Sequence, residues 1–423
     1  MPHNVVYLIQ LYGDNTIVTD TTFVTEDKKA AFLIDDSYEQ GMYRLLFGDN
    51  RYVDFIHCGE NVDMVTYFDL PVDCMTVVAS AQNRMLYGFY KLTNMFERKS
   101  EYLIPLVRFY PVKDEFYKNA EKEYNHLQKE RDEYITAVQK KFPESFVSKI
   151  LQVQREPIID TRMSDEEKVQ FYQDHYFDYV DFNDTMLFYS NALTSKVIGF
   201  LKLFRDQSLP KHTEQAQFIT GVDMLMTKLH REDAAYNFIL EYLVKGFEKF
   251  QYDEVLEHIA SHYKAAAVCE DEERRSQLEK TLDFYKKTAI GQKAPDILLK
   301  DSEGKDISMS SLENDIVLLM FWSTTCPHCH ELLPQLKEFY DKGADRKYEI
   351  FAVSIDQDVD VWKKFILENE YGWINVNESN GWDNKVLNDY NIYATPTFLI
   401  LDKNRNIIGK PVTMEEIKSA LGK

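Results

Sequence analysis

The sequence predicts a chain of three parts: an antiparallel β-sandwich at the N-terminus, an all-helical middle, and a C-terminal α/β sheet layered with helices. Three observations predict it. Residues 1–88 alternate polar and apolar positions in short β-rich runs; residues 89–289 repeat at helical spacing; and near residue 290 the composition shifts and strands begin to alternate with helices. At 423 residues the chain exceeds one ordinary core, which agrees with a division into several domains.

In the first part, "VVYLIQLYG", "TDTTFVT", "AAFLID", "GMYRLLFG", "RYVDFIHCG", "VDMVTYFD" and "CMTVVAS" read as strands. Turn signals at Gly13-Asp14-Asn15, Gly48-Asp49-Asn50 and Gly59-Glu60-Asn61 separate them. Regular spacing of this kind is the mark of a small sandwich. Cys58 and Cys74 fall in neighbouring runs and are expected as buried free thiols rather than a disulfide. In the second part, Tyr117, Ala120, Tyr124, Leu127, Tyr134 and Val138 form one stripe at three-and-four spacing, with Lys and Glu on the other face. Ser164 with Glu167 three residues on predicts a capping box opening the next helix but one.

The third part is expected over residues 290–423. Gly291 and Pro295 mark the linker. Strand "DIVLLMFW", a helix from Pro327, strand "YEIFAVSID", helix "DVWKKFILENE", strand "WINVNE", helix "NKVLNDY", hairpin "TPTFLILDKNRNIIGK" and helix "MEEIKSALGK" follow in order.

Composition removes whole classes of function. The formal charge of −21, from 49 basic and 70 acidic residues, excludes nucleic acid as the expected partner, since phosphate binding needs a basic face. It speaks equally against an anionic membrane surface. No run of about eighteen apolar residues occurs, so no membrane-spanning segment is expected. "MPHNVVYLIQLYG" lacks the basic and apolar regions of a signal peptide, and "VVYLIQL" reads as a strand already under way. The chain is therefore expected to begin at a processed or truncated end, with Met1 supplied from outside the natural sequence. Five cysteines are too few for a disulfide scaffold, and no second Cys or His pair stands at zinc-finger spacing from Cys326 and Cys329. His258 and His262 stand four apart, but the Glu precedes them in "EHIASH", so no metal is expected there either.

The chemistry concentrates in "VLLMFWSTTCPHCHELLPQL". A strand ends at Trp322 and Cys326 falls at the start of a helix, with Pro327 in the first turn, where its missing N–H costs nothing. The positive helix terminus favours a thiolate on Cys326. Cys329, one turn deeper, is placed to resolve a mixed disulfide by attacking the first sulfur. His328 next to the nucleophile favours its thiolate and with it the reduced form. A second element, "YATPTFLI", puts Thr395-Pro396 before an apolar strand, either as an ordinary strand-leading proline or as a cis-proline loop that offers backbone to an incoming peptide. Trp322, Thr395 and Pro396 are the expected substrate contacts.

"GQKAPDILLKDSEGKDISMSSL", "FWSTTCPHC", Pro334 and "ATPTFLILDKNRNIIGK" make residues 290–423 resemble a thioredoxin-like domain of the TlpA/ResA type of cell-envelope thiol–disulfide oxidoreductase. The resemblance implies that Cys326 is the exposed nucleophile, Cys329 the resolving thiol and Pro396 cis. It implies protein thiols and disulfides as substrates, a redox partner protein as electron source, and no cofactor. "DHYFDYVDFNDTMLF" and "PESFVSKILQ" resemble the helical extension of modular thioredoxin-like proteins of the Gram-negative envelope, which implies a periplasmic or membrane-anchored setting. The extensions are expected either to restrict which partners reach the dithiol or to hold two copies together. The other reading makes the chain a binding protein whose β and helical parts carry the function.

The chain departs from these relatives at three places. Thioredoxins proper have a buried Asp where Met320 stands, and the TlpA/ResA type has a Glu where Leu332 stands. Glu331, one place early, points about 100° away around the helix; it and water are the candidate proton acceptors for Cys329. Pro327-His328 is the dipeptide of DsbA-type oxidants, whose potentials lie about 150 mV above thioredoxin's, or roughly 7 kcal/mol for two electrons. A peroxidase would need Pro-x-x-x-Thr-x-x-Cys, and Leu319 stands where the proline would be.

Overall fold

The computed structural model describes residues 5–47, 51–67, 69–206, 208–267, 272–343, 347–382, 385–390, 392 and 394–422. Met1, the turn Gly48-Asp49-Asn50 and Cys269 lie outside them. The chain divides into two compact units, Met1–Gly246 with Ala266–Glu270, and Phe247–Ala265 with Asp271–Lys423.

The first unit opens with β1 (Val5–Tyr12), β2 (Asn15–Phe23), β3 (Gly41–Phe47) and β4 (Arg51–His57), an antiparallel sheet in the order β2-β1-β3-β4. A separate ribbon pairs β5 (Asp63–Val65) with β6 (Thr76–Ala79). Helices α1 (Ala81–Phe109), α2 (Glu115–Lys141) and α3 (Phe146–Val153) follow. Period-two alternation sends Ile9, Leu11, Met42 and Ile56 to one face of the sheet, where they meet Leu86 and Phe89 of α1, Ile135 of α2 and Ile150 of α3. The other face carries Leu8, Tyr43 and Phe55, covered by Phe32, Ile34 and Tyr38 and by Met64 of β5. In place of the expected pair of stacked sheets, the described residues of this unit hold one four-stranded sheet and a two-stranded ribbon. The reason lies in "AAFLID": Phe32 and Ile34 keep the inward alternation, but their backbone joins no ladder. Strands and first helices share one core, so the boundary expected after residue 88 falls inside this unit.

Asn83 ties sheet to helix. Its fully buried amide accepts from Ile56 N at 2.7 Å and donates to Ile56 O at 2.8 Å, giving the last strand of the sheet a side chain as ladder partner. Further on, α4 (Asp165–His175) opens with the expected capping box of Ser164 and Glu167. Helices α5 (Ala192–Lys202), α6 (Lys211–Thr227) and α7 (Ala235–Lys249) complete the helical run.

The second unit begins with helices α8 (Asp253–His262) and α9 (Glu272–Lys287), which the sequence pattern had assigned to the middle domain. Its sheet is built from β7 (Leu298–Asp301), β8 (Asp306–Ser308), β9 (Ile316–Trp322), β10 (Tyr348–Ser354), β11 (Ile374–Asn377), β12 (Thr397–Leu401) and β13 (Ile407–Gly409). Their order is β13-β12-β9-β10-β11-β7-β8, with β9, β10 and β11 parallel and β12 antiparallel to β9. Helices α10 (Pro327–Lys342), α11 (Val359–Glu368), α12 (Lys385–Tyr390) and α13 (Met414–Leu421) cover it. β9 is central and buried on both faces, which explains its unbroken apolar run. Leu318, Met320 and Trp322 face α10, α11 and α13; Val317, Leu319 and Phe321 face α12 and the segment around Ile297. Helix α8 is fastened within this unit by Glu257, which receives Lys410 Nζ at 2.6 Å and Ile290 N at 3.1 Å. Among the described residues, no helix is long and apolar enough to cross a membrane.

Candidate active site

The site forms where β9 ends and α10 begins, at the carboxyl edge of the parallel strands. Cys326 is the N-cap of α10, and its sulfur takes the place an N-cap oxygen would fill, accepting from Cys329 N at 3.3 Å. Pro327 occupies the first turn as expected. Across from the sulfur, the Thr395–Pro396 bond is cis, and Cys326 Sγ donates to Thr395 O at 3.1 Å. The structure therefore brings Cys326, Cys329 and the Thr395-Pro396 loop together from positions about seventy residues apart.

The two thiols are chemically unequal. Partial burial works against ionisation of Cys326, but hydrogen bonds from the Cys329 and Thr395 side chains and from the Cys329 and His328 backbone N–H groups outweigh it and hold the thiol below its ordinary value. Cys329 is fully buried among Met320, Trp322, Leu333 and Trp362. Burial first, then its hydrogen bond with Cys326 and the nearness of that charge, push it up to about 12. One sulfur favours its thiolate form and the other its protonated form.

Three expected residues sit differently from the reading of the sequence. Trp322 is 0% exposed, packed against Phe365 and Tyr371 in the core, and cannot face a substrate; a side chain in a strand buried on both faces has no route to the surface. The imidazole of His328 is 81% exposed, 4.0 Å from the equally exposed Glu331, and His328 acts on Cys326 through its backbone N–H. Glu331 stands on the outer face of α10, away from the buried Cys329. Met320, in the place of the thioredoxin aspartate, is fully buried, so the floor beneath Cys329 is apolar.

Two further residues at the site were not singled out from the sequence. Tyr371 shares the Cys329 cluster, and burial together with the Cys329 charge raises its hydroxyl above the ordinary tyrosine range. Asp356, just past β10, grips the loop before the dithiol. The local signal for it is an acid directly after an apolar strand. Among the described residues, no group of three or more His, Cys, Asp or Glu side chains is placed to hold a metal ion. Cys58 and Cys74 are unpaired thiols.

This geometry can be set beside known proteins. The profile of the AhpC/TSA family matches residues 290–410. The thiol–disulfide oxidoreductase ResA of Geobacillus thermodenitrificans is 32% identical over 143 residues, covering 33% of this chain and 80% of that protein. The chain belongs to the ResA family of thiol–disulfide oxidoreductases. ResA of Bacillus thuringiensis is 29% identical over 140 residues, covering 32% of this chain and 79% of that one. A solved thioredoxin-like protein from Bacteroides caccae aligns with 63% of this chain and 97% of its own at 22% identity, with a TM-score of 0.42. The family and the profile match make the protein a thiol–disulfide oxidoreductase with a thioredoxin-like domain at its C-terminus.

Proposed function

We propose that the exchange runs through Cys326 and Cys329. The Cys326 thiolate attacks one sulfur of a substrate disulfide; that S–S bond breaks and the first substrate thiolate leaves. Cys329 then loses its proton and attacks Cys326, releasing the second substrate thiolate. Two electrons pass to the substrate and a Cys326–Cys329 disulfide remains, to be reduced by a partner dithiol protein. The reverse sequence oxidises a substrate dithiol. The inequality of the two thiols carries this reading: a half-exposed sulfur lowered at a helix N-terminus beside one pushed to about 12 in an apolar core. Pro396 and Thr395 border the exposed sulfur and would pair with substrate backbone.

The setting belongs to the same proposal. The resemblance to envelope oxidoreductases supports a periplasmic or envelope location. Residues before 290 would select partners or join two copies. The deciding experiment is trapping: Cys329→Ser should accumulate a mixed disulfide with a disulfide-bonded substrate, Cys326→Ser should form none, and the double variant should not turn over. Turnover by the double variant would overturn the assignment.

A further inference from the structure

The loop Ser323–Thr325, which delivers Cys326 to its helix, is tied to a carboxylate more than thirty residues away in sequence. Asp356 is 8% exposed and its oxygens accept from Ser323 Oγ at 2.7 Å, from Thr324 N at 3.1 and 3.0 Å, from Thr324 Oγ1 at 2.9 Å and from Ser354 Oγ at 2.7 Å. A carboxylate offers about four lone-pair positions, and here they are filled. Asn377, at the end of β11, fixes the acid in turn, donating to Asp356 O at 3.0 Å and Ser354 Oγ at 3.2 Å. On its other side the loop is held by His330, whose Nε2 lies 2.7 Å from Thr324 O. Three adjacent strand ends thus converge on one buried acid, and the segment it holds stops two residues short of Cys326.

Fixing this loop has chemical consequences. The Cys326 sulfur accepts from Cys329 N at 3.3 Å, an N–H that the loop-to-helix junction aims at it, and hydrogen bonds weaken steeply when misaligned. We propose that Asp356 is the positioning residue of the dithiol, holding Ser323 and Thr324 so that the Cys326 sulfur stays in line with its backbone donors and with Thr395. This rests on the reading of Cys326 as the nucleophile. The Asp356 carboxylate bonds to Ser323, Thr324 and Ser354 and to neither sulfur, and acts through the loop. An amide at this position keeps one acceptor oxygen, and the serine and threonine hydroxyls can rotate to accept from its NH2. Alanine leaves the Thr324 N–H and the hydroxyls without their acceptor.

The test is the pH profile of Cys326 alkylation by iodoacetamide in the reduced full chain, read on the Cys326 fragment by mass spectrometry, alongside the reduction potential of the pair. D356A should slow alkylation near neutral pH about fivefold, the weight of one lost hydrogen bond to the thiolate. Its profile should move to higher pH, while D356N stays within about twofold of wild type. A D356A profile superimposable on wild type would overturn the proposal, as would equal slowing in D356A and D356N. If D356A does not fold, the double variant S323A/T324V, which removes both loop hydroxyls from the same acid, should shift the profile in the same direction. Failure of both to fold would make Asp356 a support of the domain and not of the dithiol, and the proposal would fall. A wild-type protein whose Cys326 does not alkylate near neutral pH would instead overturn the nucleophile reading itself.

Discussion

The sharpest consequence of the site is that two cysteines three residues apart should differ about a thousandfold in ionised fraction, and so in labelling. Take the reduced protein and pulse it with iodoacetamide near pH 8. With its thiol pushed from an ordinary 9.0 to about 12, Cys329 is ionised in roughly one molecule in ten thousand at that pH. An ordinary thiol would be ionised in about one in ten, and Cys326, held below its ordinary value, in at least that many. Zero exposure of Cys329 adds a steric barrier to the electrostatic one. Fragment-ion mass spectrometry after a short pulse should find label on Cys326 and almost none on Cys329. Cys326→Ser removes the hydrogen bond and the charge that Cys326 contributes but leaves the burial, which is the largest cause, so Cys329 should stay slow in that variant. Comparable labelling of both cysteines in the wild type, or ordinary reactivity of Cys329 in Cys326→Ser, would refute the argument from burial.

Other consequences can be measured on stability. Trp322→Ala opens a cavity beneath the dithiol and should cost about 3–5 kcal/mol by urea denaturation, a loss too large for a rim residue. Asn83→Ala leaves the buried Ile56 N–H and C=O unpaired and should cost about 3 kcal/mol in the same assay. The folded value of Cys329 is raised, so its contribution to the reduced form is complete below about pH 9 and is lost as pH rises from 9.0 toward 12, about 4 kcal/mol in all. Cys326 runs the opposite way: its folded value is lowered, so its contribution is present above its ordinary 9.0 and lost as pH falls through the folded value. The disulfide form has neither thiol, and the difference between reduced and oxidised urea midpoints, followed against pH, should show both trends.

Local pattern carried much of this protein. Ile316–Trp322 is an unbroken apolar run ending in a loop, and the helix that follows begins at a cysteine with proline in its first turn; both are written in consecutive residues. Thr395-Pro396 before an apolar strand was likewise readable. The misses came from pairings made at a distance. Trp322 looks like a rim residue when only its neighbours in sequence are considered, and becomes core because α11 and Tyr371 pack over its face of the sheet. Phe32 and Ile34 alternate as a strand would, yet ladder formation depends on a partner that alternation does not specify. The acid at 356 acquires its meaning only when β9 and β10 lie side by side, and Glu257 acquires its own from Lys410. The polar side chains at 328 and 331 are legible in the sequence; their direction, outward, is set by the face of α10 left over after Cys329, Leu333 and Leu336 turn inward.

The clasp at Glu257 bears on how the protein can be dissected. Lys410 and Glu257 keep only 21% and 11% of their side chains in contact with water, and the second carboxylate oxygen is taken by the main chain at Ile290. A fragment trimmed to residues 290–423, as family resemblance alone would suggest, strips Lys410 of its counter-charge and turns the Ile290 N–H that Glu257 accepts into a free amine. Cutting between α7 and α8 instead, near residue 251, keeps the pair intact and should yield the better-behaved protein for solution work.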